Sequence, residues 1–334
     1  MLLTLVIVAI LFALVFDYIN GMHDTANAIA TVVSTRVLSP RNAILLAATL
    51  NFVGALWSVK VAMTIGKGIV DPSVINLTTV LAALVGAIVW NLVTWYYGIP
   101  SSSSHALVGG VIGAAIATVG TDELKIDGIV KVVKGLIFSP IIGAGIAFLI
   151  MLAILWAFRN VPPGKSNRWF KLLQMASASV MAFSHGMGDA QKSMGIIVMA
   201  LLAGGMMDPN NVYVPLWVKL ACASAMAMGT AAGGWRIIKT LGHKMIKLQP
   251  VHGFAAEAAA STVILTASSW GVPVSTTHSI SGAIMGVGMT RRLNSVRWDV
   301  AAQMVVAWVL TIPAAALIAY VTETVIMYLF PGMH

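Results

Sequence analysis

Tyr97-Gly98-Ile99-Pro100-Ser101-Ser102-Ser103-Ser104-His105 and Trp270-Gly271-Val272-Pro273-Val274-Ser275-Thr276-Thr277-His278 are two versions of one pattern, 173 residues apart. In each, a glycine and a proline interrupt apolar sequence, a hydroxyl run follows, and a histidine closes it. Gly and Pro end a helix, and Pro followed by Ser or Thr opens the next. The hydroxyl oxygens accept amide hydrogens that a helix start leaves unpaired. Gly109 and Gly113 then match Gly282 and Gly286. These small-xxx-small spacings read as close helix contacts, with some bearing on dimerisation.

A second pair stands in the same order. Asn20-Gly21-Met22-His23-Asp24 matches His185-Gly186-Met187-Gly188-Asp189 at a spacing of 165 residues. Two ordered matches point to a chain of two related halves, the plan of many secondary transporters. The residues alone fit inverted or parallel halves.

The setting of these patterns is apolar. Of 334 residues, 59% are hydrophobic and 9% charged, and the mean hydropathy is +0.91. A soluble domain carries about 25% charge, so an ordinary cytosolic enzyme, a disordered chain and a charged solenoid are excluded. Hydrocarbon-length runs recur throughout, and they lack the alternation of an outer-membrane barrel. The class expected is an all-α polytopic membrane protein. Met1 to Phe16 has no basic start and reads as a first membrane segment, not a cleavable signal.

The net charge of +9 comes from basic residues that punctuate the apolar runs, which suits loops beside anionic lipid and argues against a nucleic-acid partner. Arg159, Lys165, Arg168 and Lys171 form one cluster; Arg236, Lys239, Lys244 and Lys247 form another. Two spanning candidates separate them, so both lie on one side, the cytoplasmic one by the positive-inside rule. The organisation expected is a first transmembrane half over 1–158, a basic cytoplasmic linker over 159–174 and a second half over 175–334, within one transport domain. The single Cys222 excludes an intrachain disulfide.

Four interruptions are expected to break helices inside the membrane: Asn20-Gly21, His185-Gly186, 98–104 and 271–277. Irregular backbone at that depth is tolerated only where protein or a watery cavity covers it. Asp24 and Asp189 lie in apolar surroundings, and a carboxylate there marks a pathway, a counter-ion or a cation site. Asn27 and Thr31 share a helix face with Asp24 and offer oxygen ligands to a hard monovalent cation. Gln191, Lys192 and Ser193 follow Asp189. Lys192 either neutralises Asp189 or faces an anionic substrate. Glu257, deep in an apolar run, reads as a second-tier cation or proton residue. Asp17 and Glu323 read as interfacial.

The hydroxyl runs suggest an anion site. A helix beginning at membrane depth presents free amides and a positive dipole end, which suits phosphate or sulfate. Ser102, Ser103 and Ser104 from one half and Ser275, Thr276 and Thr277 from the other are placed to converge on one tetrahedral anion. His105 and His278 either donate to substrate oxygen or fix the helix starts. No histidine spacing resembles a His-Glu-x-x-His zinc site. No nucleophile–base constellation stands out, and no enzyme activity is expected.

Gly21-Met22-His23-Asp24-Thr25-Ala26-Asn27-Ala28 closely resembles the first signature of the inorganic phosphate transporter (PiT) family, and His185-Gly186-Met187-Gly188-Asp189-Ala190-Gln191-Lys192 looks like its second-half counterpart. Pro273-Val274-Ser275-Thr276-Thr277-His278 is similar to the family's re-entrant hairpin motif. The resemblance runs from residue 16 to about 320. It implies two inverted repeats, about twelve membrane helices including broken ones and re-entrant hairpins, a multi-pass place in the inner membrane, and often a homodimer. It implies a secondary symporter importing phosphate with sodium or protons and no other cofactor. Phosphate contacts would fall on Ser102, Ser103, Ser104, His105, Gln191, Lys192, Ser275, Thr276, Thr277 and His278. Cation contacts would fall on Asp24, Asn27, Thr31, Asp189, Ser193 and Glu257, with sodium at Asp24, Asn27 and Asp189. Sulfate–cation symport within the family and a passive anion channel are the alternative readings.

Overall fold

A computed structural model describes residues 2–70 and 75–331. The described residues form twelve α-helices and no strand beyond an isolated bridge between Val70 and Leu124. In chain order they are α1 (Leu2–Ser34), α2 (Pro40–Ala55), α3 (Lys60–Gly68), α4 (Leu77–Tyr97), α5 (Ser103–Val119) and α6 (Ile126–Ala157). Then follow α7 (Pro163–Ala203), α8 (Leu216–Ala232), α9 (Trp235–Lys239), α10 (Pro250–Ser269), α11 (Thr276–Met289) and α12 (Trp298–Leu329). A π-helical turn, Thr240–Lys244, extends α9.

By length and composition, α1, α4, α6 and α12 are each long and apolar enough to cross a membrane. Two bent pairs raise that number to six: α2 with α3, bent by 70°, and α8 with α9 and its π turn, bent by 60°. The helices α5 and α11 have only 17 and 14 residues, short of the roughly 20 that hydrocarbon demands.

The repeated Gly-x-Pro turns behave as the sequence predicts. Gly98 ends α4 at φ 66° and Gly271 follows α10 at φ 67°, a left-handed conformation that only glycine adopts freely. Ser102 then caps α5 by accepting from the His105 amide, and Ser275 caps α11 by accepting from the His278 amide.

The other two interruptions do not break the chain. The helix α1 runs unbroken through Asn20-Gly21, and α7 runs unbroken through His185-Gly186. Their glycines serve close approach. A Cβ on Gly21 would lie 2.4 Å from the Met226 carbonyl oxygen on α8, and one on Gly186 would lie 2.1 Å from that of Asn51 on α2. The basic stretch also differs from a linker: α7 begins at Pro163, so most of 159–174 is helix.

Contacts between the halves are reciprocal. Helix α1 packs on α8 as α2 packs on α7, and α5 packs on α12 as α6 packs on α11. Gly109 and Gly113 meet the backbone of Ile312 and Ala316; Gly282 and Gly286 meet that of Pro140 and Ala144. All four glycines are buried by the chain's own helices, so none is open to a second copy.

Two apolar cores result. One gathers Val6 to Phe16 of α1 and Ala190 to Leu201 of α7; the other gathers Ala26 to Val32 of α1 and Ala178 to Ala182 of α7. Between them both long helices carry a polar band, with Asp17, Asn20, His23 and Asp24 on α1 and Ser184, His185 and Asp189 on α7, all buried. Cys222 is buried on α8 beside the first core.

Candidate functional site

The polar band brings residues 165 positions apart into contact. Ligand atoms of Asp24, His185 and Asp189 all lie within 4.8 Å of one another, and all three residues are buried. Two carboxylates this close in a dry interior repel, and each is costly unless donors or cations surround it.

The donors come from both helix starts. Asp24 Oδ1 accepts from Thr277 Oγ1 at 3.3 Å and lies 2.7 Å from His23 Nδ1, while its Oδ2 accepts from Ser103 Oγ at 3.3 Å. Asp189 Oδ2 accepts from Thr276 Oγ1 at 3.2 Å. Asp189 Oδ1 accepts from Lys192 Nζ at 2.6 Å. In this arrangement Lys192 neutralises Asp189. Asn27 ties the groups together by donating from Nδ2 to both Thr276 and Thr277.

The two helix starts face each other. Ser104 Oγ donates to the Val274 carbonyl at 3.3 Å, and the His105 and His278 rings lie 4.5 Å apart. His278 also stacks on Trp308 at 4.0 Å, and Trp308 Nε1 donates to the Pro100 carbonyl. Beyond the histidines an apolar cleft of about 630 Å³ opens between α5, α6, α11 and α12.

Several expected site residues lie elsewhere. Gln191 is turned away from the helix starts: its Oε1 accepts from the Val61 and Ala62 amides at 2.8 and 3.3 Å, and its Nε2 donates to the Met187 carbonyl. It caps the first turn of α3, whose amides have no partner within their own helix. Ser193 faces Asp17 on α1. Thr31 and Glu257 form a separate cluster. Glu257 accepts from Thr31 Oγ1 at 2.5 Å, from Gln174 Nε2 at 3.3 Å and from Ser177 Oγ. Thr31 is about 10 Å along α1 from Asp24, at 1.5 Å per residue.

Further buried polar residues surround the site. Asp17 is fully buried, not interfacial, and among the described residues both polar atoms of Asn20 and of Asn91 lack a hydrogen-bond partner. Glu323 is buried as well, with Thr78, Thr79 and Thr118 donating to its Oε1 at 2.8, 3.3 and 3.0 Å. His23 is fixed from behind, its Nε2 lying 3.1 Å from Thr94 Oγ1. Asn51 donates to Thr230 and lies 3.2 Å from His185 Nδ1. The one sequence signal for these partners is a polar residue inside an apolar run, and it does not say which neighbour is met.

Residues 20–319 match the pattern of the family described as "Phosphate transporter family". A Bacillus subtilis protein described as "Probable low-affinity inorganic phosphate transporter" is 46% identical over 331 residues, covering 98% of this chain and 99% of its own. One of Rhizobium meliloti with the same description is 48% identical over 308 residues, 92% of each chain. A solved structure titled "The sodium-dependent phosphate transporter" superposes with a TM-score of 0.91 at 25% identity, covering 98% of this chain and 100% of that one.

Proposed function

The chain belongs to the phosphate transporter family, and from that premise we propose that it is a secondary symporter carrying inorganic phosphate with sodium or protons by alternating access. The observation that carries this reading is the meeting of two buried carboxylates, one per half, with two hydroxyl-rich helix starts, again one per half. With Ser102 and Ser275 as caps, the amides of Ser103, Ser104, Thr276 and Thr277 have no partner within their own helices. Together with their hydroxyls they suit a tetrahedral anion.

In this mechanism phosphate docks between the starts of α5 and α11. A cation binds at Asp24, Asn27 and Asp189 and offsets the carboxylates and the anion. Without it the closed carrier leaves a bare carboxylate in a dry interior, which costs several kcal/mol. The difference in closure between loaded and half-loaded carrier is the coupling free energy. The reciprocal contacts of α1 with α8 and α2 with α7 support two inverted repeats moving against each other. The α-helical spans and the basic clusters of the sequence support a place in the inner or plasma membrane, and the family resemblance supports a homodimer.

Reconstitution tests this. Liposomes carrying the protein, given sodium or proton gradients separately, should concentrate labelled phosphate against its gradient and prefer it to sulfate. Uptake that only follows the phosphate gradient, whatever the cation, makes the protein a channel and ends the symport reading.

A further inference from the structure

The two halves differ at one position of the site. With Asp24 set on Asp189, Asn27 falls on Lys192, so an Asp-x-x-Asn in one half faces an Asp-x-x-Lys in the other. The side chains differ accordingly. Lys192 is 1% exposed and its ammonium lies 2.6 Å from Asp189. Asp24 has His23 beside it, and among the described residues no lysine or arginine pairs with it.

Resting on the symport reading above, we infer that the Lys192 ammonium permanently fills the cation seat of the second half, so that only the Asp24–Asn27 half needs a mobile cation. Each phosphate then travels with one mobile cation fewer than a site with asparagine in both halves would require.

The charges support this assignment. Of the two facing carboxylates, Asp189 is offset by the ammonium, which leaves Asp24 for a mobile cation. The ammonium is tethered three residues from its carboxylate, so its occupancy does not depend on the cation concentration outside. Drawing the ammonium off Asp189 toward phosphate would strand a buried carboxylate without its partner, which is strongly unfavourable.

The test compares wild type with Lys192→Asn, Lys192→Arg and Asn27→Lys in proteoliposomes. Phosphate uptake is measured against sodium and, separately, proton concentration, with charge movement recorded. In Lys192→Asn the apparent cation order should rise by one by mass action, and the charge moved per phosphate should rise by one elementary charge. Lys192→Arg should keep the wild-type order. Asn27→Lys should make uptake independent of the cation. An active Lys192→Asn with unchanged order overturns the assignment, and so does cation dependence retained in Asn27→Lys. Should Lys192→Asn bind but not transport, thermal stabilisation by sodium at fixed phosphate replaces uptake. A steeper sodium dependence than wild type then supports the assignment, and an identical one overturns it. Wild type with no cation-driven uptake sinks the symport reading and this one together; cation-driven wild-type uptake with unchanged order in Lys192→Asn sinks this one alone.

Discussion

Asn27 Nδ2 lies 2.9 Å from Thr277 Oγ1 and 3.2 Å from Thr276 Oγ1, so one amide on the first half holds both hydroxyls that reach the two buried carboxylates. Asn27→Leu removes those donors while keeping the branched outline of the side chain. The loss is expected to cost about 1–3 kcal/mol, seen as a fall of roughly five- to 150-fold in phosphate uptake with wild-type folding by circular dichroism. Wild-type uptake would show that the bridge is ornamental.

Asp24→Asn keeps the shape of the side chain and removes its charge. Uptake is expected to fall strongly and what remains to lose its cation dependence, because the charge that the cation offsets is gone. Sodium and proton titrations of uptake in vesicles check this. An unchanged cation requirement removes Asp24 from the cation site.

Gly186→Val places a side chain against the Asn51 carbonyl on α2, where even a Cβ has 2.1 Å of room. Backbone on backbone cannot yield cheaply, and a loss of about 3 kcal/mol is expected, read as a lower melting temperature and poor monodisperse yield in detergent. Gly145→Ala is the control, since nothing lies within 4 Å of its Cβ. Equal stability of the two variants contradicts the close packing of α2 on α7.

Gln191→Ala uncaps the first turn of α3. The expected result is a stability loss of about 1–3 kcal/mol for the amides left unpaired with the KM for phosphate unchanged. A raised KM at wild-type stability returns Gln191 to the substrate site.

The contrast between Gly271 and Gly186 shows which parts of the molecule were legible. Gly271 stands before Val272-Pro273 and a hydroxyl run, a local combination with one low-energy solution, and the turn and cap formed as the sequence predicts. Gly186 carries no such company. A lone glycine in an apolar run either breaks a helix or admits a neighbour's backbone, and only the position of α2 decides. The same limit governs the site. The four types Asp, Asn, Ser and Thr in apolar sequence announced intramembrane chemistry. That Ser103 meets Asp24 while Gln191 meets Val61 depends on helix rotation and long-range packing, which local spacing does not encode. Asp17 and Glu323 read as interfacial in the sequence, whereas packing from other helices covers both.

The lone thiol of Cys222, sealed on α8 at 0% exposure, has a practical side. A cysteine introduced at an exposed loop position such as Asn160 or Asn210 will react with a maleimide fluorophore or spin label while the native one stays silent. Pairs of such sites give distance pairs across the membrane in the unaltered background. Any movement of the two halves against each other is therefore open to single-molecule observation without first stripping the chain of its own cysteine.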